Sequence, residues 1–169
     1  SSYKYSISGY DMANGTYLGD FYGTPVFDNS TNCITGGILY NTKDRYLYSF
    51  TGKSKAPALS NPSALVAIKK DVDLNSVGGV NFEFDIVNAS DKTIKYIYYT
   101  VYVINRVNDK VRCDITRDYY FNLYVTGPIE SGEKDNAYWD AFMYNWSAND
   151  VIISSVTIEY MDGTTKTLN

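Results

Sequence analysis

The chain contains no histidine. That absence excludes Ser-His and Cys-His nucleophilic pairs and every metal site that needs an imidazole. There is no CxxC pair to suggest zinc. No GxxxxGK[ST] or GxGxxG loop is present to cradle phosphate. No apolar run approaches the roughly 18 residues of a membrane-spanning helix. The richest run, Ile94 to Val107, is interrupted by Lys95, Asn105 and Arg106. With 15 basic and 19 acidic side chains the net charge is −4, which leaves no basic footprint for nucleic acid and no polybasic run for anionic lipid. Proline is limited to 4 residues and low-complexity runs are absent, a composition that folds. The start, Ser1-Ser2, carries no signal-peptide pattern and no initiator Met, as expected of a processed or truncated end.

What is abundant is tyrosine, with 18 residues. Tyrosine favours strands and half-buried sheet faces. It also gives interfaces contact area at low entropic cost. Val80, Phe82, Phe84 and Ile86 alternate with Asn81, Glu83 and Asp85, the period-two signature of a half-buried strand. Ile94 to Ile104 is apolar or aromatic on both faces, as a central strand is. Its odd face carries Ile97, Val101 and Val103, and its even face carries Ile94, Tyr96, Tyr98 and Tyr102. Ala64 to Asp73, Tyr119 to Val125, Tyr138 to Trp146, the alternation ending at Tyr160, and Thr164 to Leu168 complete seven short strands. Turn clusters separate them, and Gly127-Pro128 is expected to end the fourth. This spacing predicts an antiparallel β-sandwich over residues 64–169.

Residues 1–60 read as a β-rich N-terminal segment. Strands are expected at Tyr3 to Ile7, Tyr17 to Tyr22, Ile34 to Tyr40 and Arg45 to Phe50, with turns at Asn14-Gly15 and Gly36-Gly37. Lys53 to Pro62 reads as a linker. Sixty residues are marginal alone, so the segment is expected to pack on the sandwich, over the Tyr96/Tyr98/Tyr102 face.

From about Ala64 onward the chain resembles bacterial immunoglobulin-like modules related to the FxLYD type. The resemblance is carried by Asp73-Leu74-Asn75-Ser76-Val77-Gly78-Gly79-Val80 and by Asn88-Ala89-Ser90-Asp91-Lys92-Thr93-Ile94-Lys95-Tyr96. It continues through Asn105-Arg106-Val107-Asn108-Asp109, Gly127-Pro128-Ile129, Tyr144-Asn145 and Ile158-Glu159-Tyr160-Met161-Asp162-Gly163. Asn108 stands where these modules usually have glycine. The resemblance implies an immunoglobulin-like sandwich, an accessory role in a secreted or cell-surface protein, and no catalytic activity.

The aromatic residues nominate a binding patch: Tyr96, Tyr98, Tyr102, Trp139 and Trp146. Alternation along the strand places Trp139 and Trp146 on opposite faces, so one points in and the other out. Cys33 and Cys113 either form one disulfide, worth about 4 kcal/mol on a chain-entropy argument, or remain buried thiols. Asp71 and Asp73 open a DxDxN calcium-loop pattern whose remainder fails, because Ser76 replaces the glycine and Phe82 the bidentate Glu. Glu130, Glu133, Asp135 and Asp140 are carboxylate candidates for hydrolysis, but with 19 acidic residues any such pair is uninformative, and solvated turn residues are the expected reading. Ser1…Lys4 and Ser131…Lys134 match SxxK without its companion motifs. Asn14, Asn29, Asn88 and Asn145 open glycosylation triplets.

The sequence therefore points to a non-catalytic binding module with a protein or glycan partner and no cofactor or metal. The alternative is a structural subunit that assembles by strand addition, and a carboxylate-dependent hydrolase comes third.

Overall fold

The computed structural model describes residues 5–10, 14–23, 25–31, 33–51 and 58–168. The chain is all-β, with antiparallel sheets and no helix among the described residues.

Six long strands and two short ones build two sheets from residue 65 onward. One has the order β12-β8-β7, from β7 (Leu65–Leu74), β8 (Gly79–Asn88) and β12 (Lys134–Tyr144). The other centres on β9 (Ile94–Ile104). On one side β9 pairs with β13 (Asp150–Tyr160), which pairs with β14 (Thr165–Leu168). On the other it pairs with the short β10 (Lys110–Val111) and then β11 (Tyr120–Ile129). The inward positions of both sheets form one core. Val80, Phe82, Phe84 and Ile86 of β8 meet Ile97, Tyr99, Val101 and Val103 of β9. Ring contacts bridge the two layers, with Phe84 edge-on to Tyr99 at 5.6 Å between centroids. Two stacked sheets with a shared apolar interior are a sandwich, as the alternation predicts.

The odd face of β9 is the buried one. Ile94 is also buried although its position is even, because the pairings of β9 with β11 and β13 both shift register beside it. Gly127-Pro128 does not end β11. It lies within the strand as a cis peptide at an irregularity between Thr126 and Ile129. A side chain at Gly127 would come within 2.3 Å of the Ile94 carbonyl oxygen, so no larger residue fits there.

Residues before 61 form a separate sheet of order β1-β2-β4-β5-β6. Its strands are β1 (Tyr5–Tyr10), β2 (Tyr17–Gly23), β4 (Cys33–Asn41), β5 (Leu47–Thr51) and β6 (Ala58–Ser60), with β3 (Val26–Asp28) paired to β4. Gly36-Gly37 falls inside β4 rather than at a turn. Part of the expected linker is strand β6, and residues 52–57 lie outside the described set. The expected strand at Tyr3 to Ile7 begins at Tyr5, and residues 1–4 lie outside the described set.

Among the described residues this sheet packs elsewhere than on the Tyr96/Tyr98/Tyr102 face. Tyr40, with Tyr22 and Leu47 beside it, packs on Val66, Val87 and Ala89, at one end of the opposite outer face. Burial of Val87 on that face is why β8 is buried on both sides there. Arg45 fastens the contact. Its guanidinium donates to the Ser90 carbonyl and to Ser131 Oγ, the latter at 2.6 Å.

Candidate binding face

The outward side of the five-stranded sheet is built by register. Tyr120 lies opposite Tyr102, Asn122 opposite Thr100, Tyr124 opposite Tyr98, and Thr126 opposite Tyr96. On the other flank of β9, Thr157 lies opposite Tyr98 and Glu159 opposite Tyr96. Five tyrosines therefore share one face with Thr, Asn and Ser between them. Strand parity does the work: Tyr99, Leu123 and Val125 point into the core, and their neighbours in sequence must point out. Tyr98 is 44% and Tyr124 65% exposed.

The charges on this face are tied down. The Lys110 ammonium sits 4.2 Å from the ring centroids of both Tyr102 and Tyr120 and donates to the Tyr120 hydroxyl. Lys95 bridges to Glu159 at 2.8 Å and lies 5.1 Å from the Tyr96 centroid. The Glu159 carboxylate holds the Lys95 ammonium above its ordinary value. Thr100 Oγ1 donates to Asn122 Oδ1 at 3.2 Å. The result is a sheet face rich in aromatic area, close to neutral, and pre-ordered by side-chain pairs.

The two tryptophans part company. Trp139 stacks on Phe82 at 5.5 Å and meets Tyr99 edge-on at 5.8 Å, so it belongs to core packing and not to a binding patch. Trp146 is 66% exposed, but it stands on the β12–β13 turn, away from the tyrosine face. Thus Tyr96, Tyr98 and Tyr102 are brought together, and Trp139 and Trp146 are not part of the set. Tyr120 and Tyr124 complete it. Their signal in the sequence was the alternation of exposed and buried positions along β11.

Cys113 is a free, buried cysteine. Burial pushes its thiol up, but hydrogen bonds from Thr116, Tyr144 and Ile115 outweigh that and set it below the ordinary value. The Cys33 side chain lies outside the described residues.

Among the described residues no group of three His, Cys, Asp or Glu side chains could hold a metal ion. Asp73 Oδ2 instead accepts from Asn81 Nδ2 at 3.0 Å. Glu130 accepts from Thr93 Oγ1, and Glu133 from the Glu130 amide, both within turn networks. Asp135 caps the Asn136 amide, and Asp140 lies beside Tyr138 on the opposite sheet. Ser131 Oγ donates to the Ser90 carbonyl at 2.8 Å, while Lys134 faces Asp85. Asn88 is fully buried and hydrogen-bonded to three carbonyls, which closes that glycosylation triplet. No helix among the described residues is long and apolar enough to cross a membrane. Comparison with family models, with curated proteins and with solved structures gave no match.

Proposed function

We propose that the chain is a non-catalytic binding module of a secreted or cell-surface bacterial protein, and that it binds a partner through the face carrying Tyr96, Tyr98, Tyr102, Tyr120 and Tyr124. The observation that carries this reading is the ladder itself. Tyrosines interleaved with Thr, Asn and Ser on a rigid, near-neutral face are the composition of a protein-recognition surface. Exposed aromatic area grouped on one face also points to recognition rather than to packing. The strand orders β12-β8-β7 and β11-β9-β13-β14 support an immunoglobulin-like arrangement, and with it the resemblance of residues 64–169 to accessory modules. The extracellular placement rests on that resemblance.

The test is a screen of the intact chain against a protein array and a glycan array, repeated with Tyr98→Ser/Tyr124→Ser. The expected result is a protein ligand that the double variant loses. A glycan hit lost in the same way would keep the face and change the partner class. A hit retained by the variant would overturn the reading.

A second reading, assembly by strand addition, is favoured by the edge position of β1 in its sheet. It requires light scattering to show growth in mass with concentration, and a strictly monomeric chain would end it.

A further inference from the structure

An edge strand turns alternate N–H and C=O groups away from its sheet, where another strand can pair with them. Folded proteins blunt such edges with charges, bulges, proline or short length. The described edges of this fold follow that rule with one exception. β7 carries Lys70, Asp71 and Asp73 and breaks register between Ala67 and Lys69. β12 carries Lys134, Asp135 and Asp140 and breaks register between Trp139 and Met143. β14 has four residues, one of them Lys166, and β6 has three. β1 breaks register between Gly9 and Tyr10.

β11 is the exception. From Tyr120 to Thr126 it pairs with β9 through seven consecutive partners without a shift. Those residues, Tyr-Phe-Asn-Leu-Tyr-Val-Thr, include no charge, proline or glycine. Among the described residues none bonds to the backbone on their outer side. The open stretch ends at the register shift past Thr126, where Pro128 has no amide to give. The inner side of this edge is also incompletely closed. Leu123 and Val125 keep 7% and 8% exposure, whereas Ile97 and Val101 on β9 keep none. Phe121 is only partly buried, against Phe142 of β12.

The stretch is its own complement. Run antiparallel about a two-fold axis through Leu123, it meets a second copy with all seven residues paired and with inward and outward positions kept on their sides. Leu123 then faces Leu123 and Phe121 faces Val125 on the inward side. Tyr120 faces Thr126 and Asn122 faces Tyr124 on the outward side. Aromatic rings opposite β-branched side chains are favourable cross-strand pairs, and no like charges are opposed. Moving the axis one residue toward the C-terminus sets Tyr120 opposite Pro128, and one residue toward the N-terminus sets Thr126 opposite Asp118. A glycan or a lipid has no ladder of donors and acceptors at strand spacing, and a charged strand finds no charge here to answer it.

We propose that the outer edge of β11 pairs antiparallel with β11 of a second copy, joining the two five-stranded sheets into one and setting two tyrosine faces side by side. This pairing uses the edge of the strand and does not rest on the ligand proposed for its face. The test is sedimentation velocity of the whole chain over a concentration series reaching about 1 mM. A monomer–dimer equilibrium that stops at two copies is expected. Asn122→Lys/Tyr124→Lys, at two exposed positions, sets introduced lysines opposite one another across the axis. It should dimerise about tenfold or more weakly, with unchanged melting in dilute solution. Asn122→Glu/Tyr124→Lys sets opposite charges across the same axis and should dimerise at least as well as the unsubstituted chain. Tyr98→Ser, off the edge, should dimerise normally whatever it does to ligand binding. A chain that stays monomeric, its edge left open or taken by another protein's strand, overturns the proposal. So do mass growth past two copies and equal dimerisation of the two charge variants.

Discussion

Tyr98 on β9 and Tyr124 on β11 are register partners on the outward face of the five-stranded sheet. Neither is needed to close the core, which Ile97, Tyr99, Leu123 and Val125 fill from the other side. That division lets the face be altered without unfolding the protein.

Asn88 is the opposite case. Its Nδ2 donates to the carbonyls of Lys92, Ile129 and Glu130, and its Oδ1 accepts from the amide and hydroxyl of Ser90. Asn88→Ala strands these buried groups and is expected to cost on the order of 3 kcal/mol. Urea denaturation gives the value, and a loss below about 1 kcal/mol would contradict the role assigned to Asn88.

Arg45 couples the N-terminal sheet to the sandwich. Arg45→Ala removes the bonds to Ser90 and Ser131 and is expected to weaken the contact by roughly 1–2 kcal/mol. Hydrogen exchange should quicken in β4 and β5 while β9 and β13 keep their protection. Equal loss in both sheets would show that the two do not loosen separately.

Asp162 gives a pH signature. Donation from Lys92, then from the Thr164 hydroxyl and amide, holds its carboxyl well below the ordinary carboxylate range. A depressed folded value means the stabilisation is fully present above the unfolded value, near pH 4, and is lost as pH falls toward the folded one. The difference in melting temperature between the unsubstituted chain and Asp162→Asn should therefore be present at neutral pH and shrink below about pH 4. A difference independent of pH would contradict this.

Cys113 should behave as a buried thiol. In Cys33→Ser, a thiol reagent should label it only after unfolding, and the intact mass of the unsubstituted chain should be that of two reduced cysteines. Rapid labelling of the folded variant would be inconsistent with the burial of Cys113.

The sandwich was legible because period-two alternation survives in β8 and β9, where parity alone decides which side chain meets the core. The N-terminal packing was misread because Tyr96, Tyr98 and Tyr102 looked like a face needing cover. The telling signal was elsewhere: Ile86 and Val87 are consecutive apolar residues at the end of an alternating strand, and Val87 has to meet something. It meets Tyr40. Alternation also failed along β12, where extra residues between Trp139 and Met143 bulge against Phe82 to Val80 and Ala141 takes a φ of 45°. The bulge leaves Trp139 and Met143 inward and lets Phe142 reach Phe121 as well. Gly127-Pro128 looked like a strand end, because nothing local reveals that the Ile94 carbonyl approaches from the neighbouring strand.

The most direct measurement is the dissociation constant of the ligand recovered in the array screen, for the unsubstituted chain and for Tyr98→Ser/Tyr124→Ser. Two interface tyrosines lost together should weaken binding by at least about thirtyfold, with the melting temperature unchanged. Equal affinity in the two proteins would contradict the assignment of the tyrosine face as the binding surface.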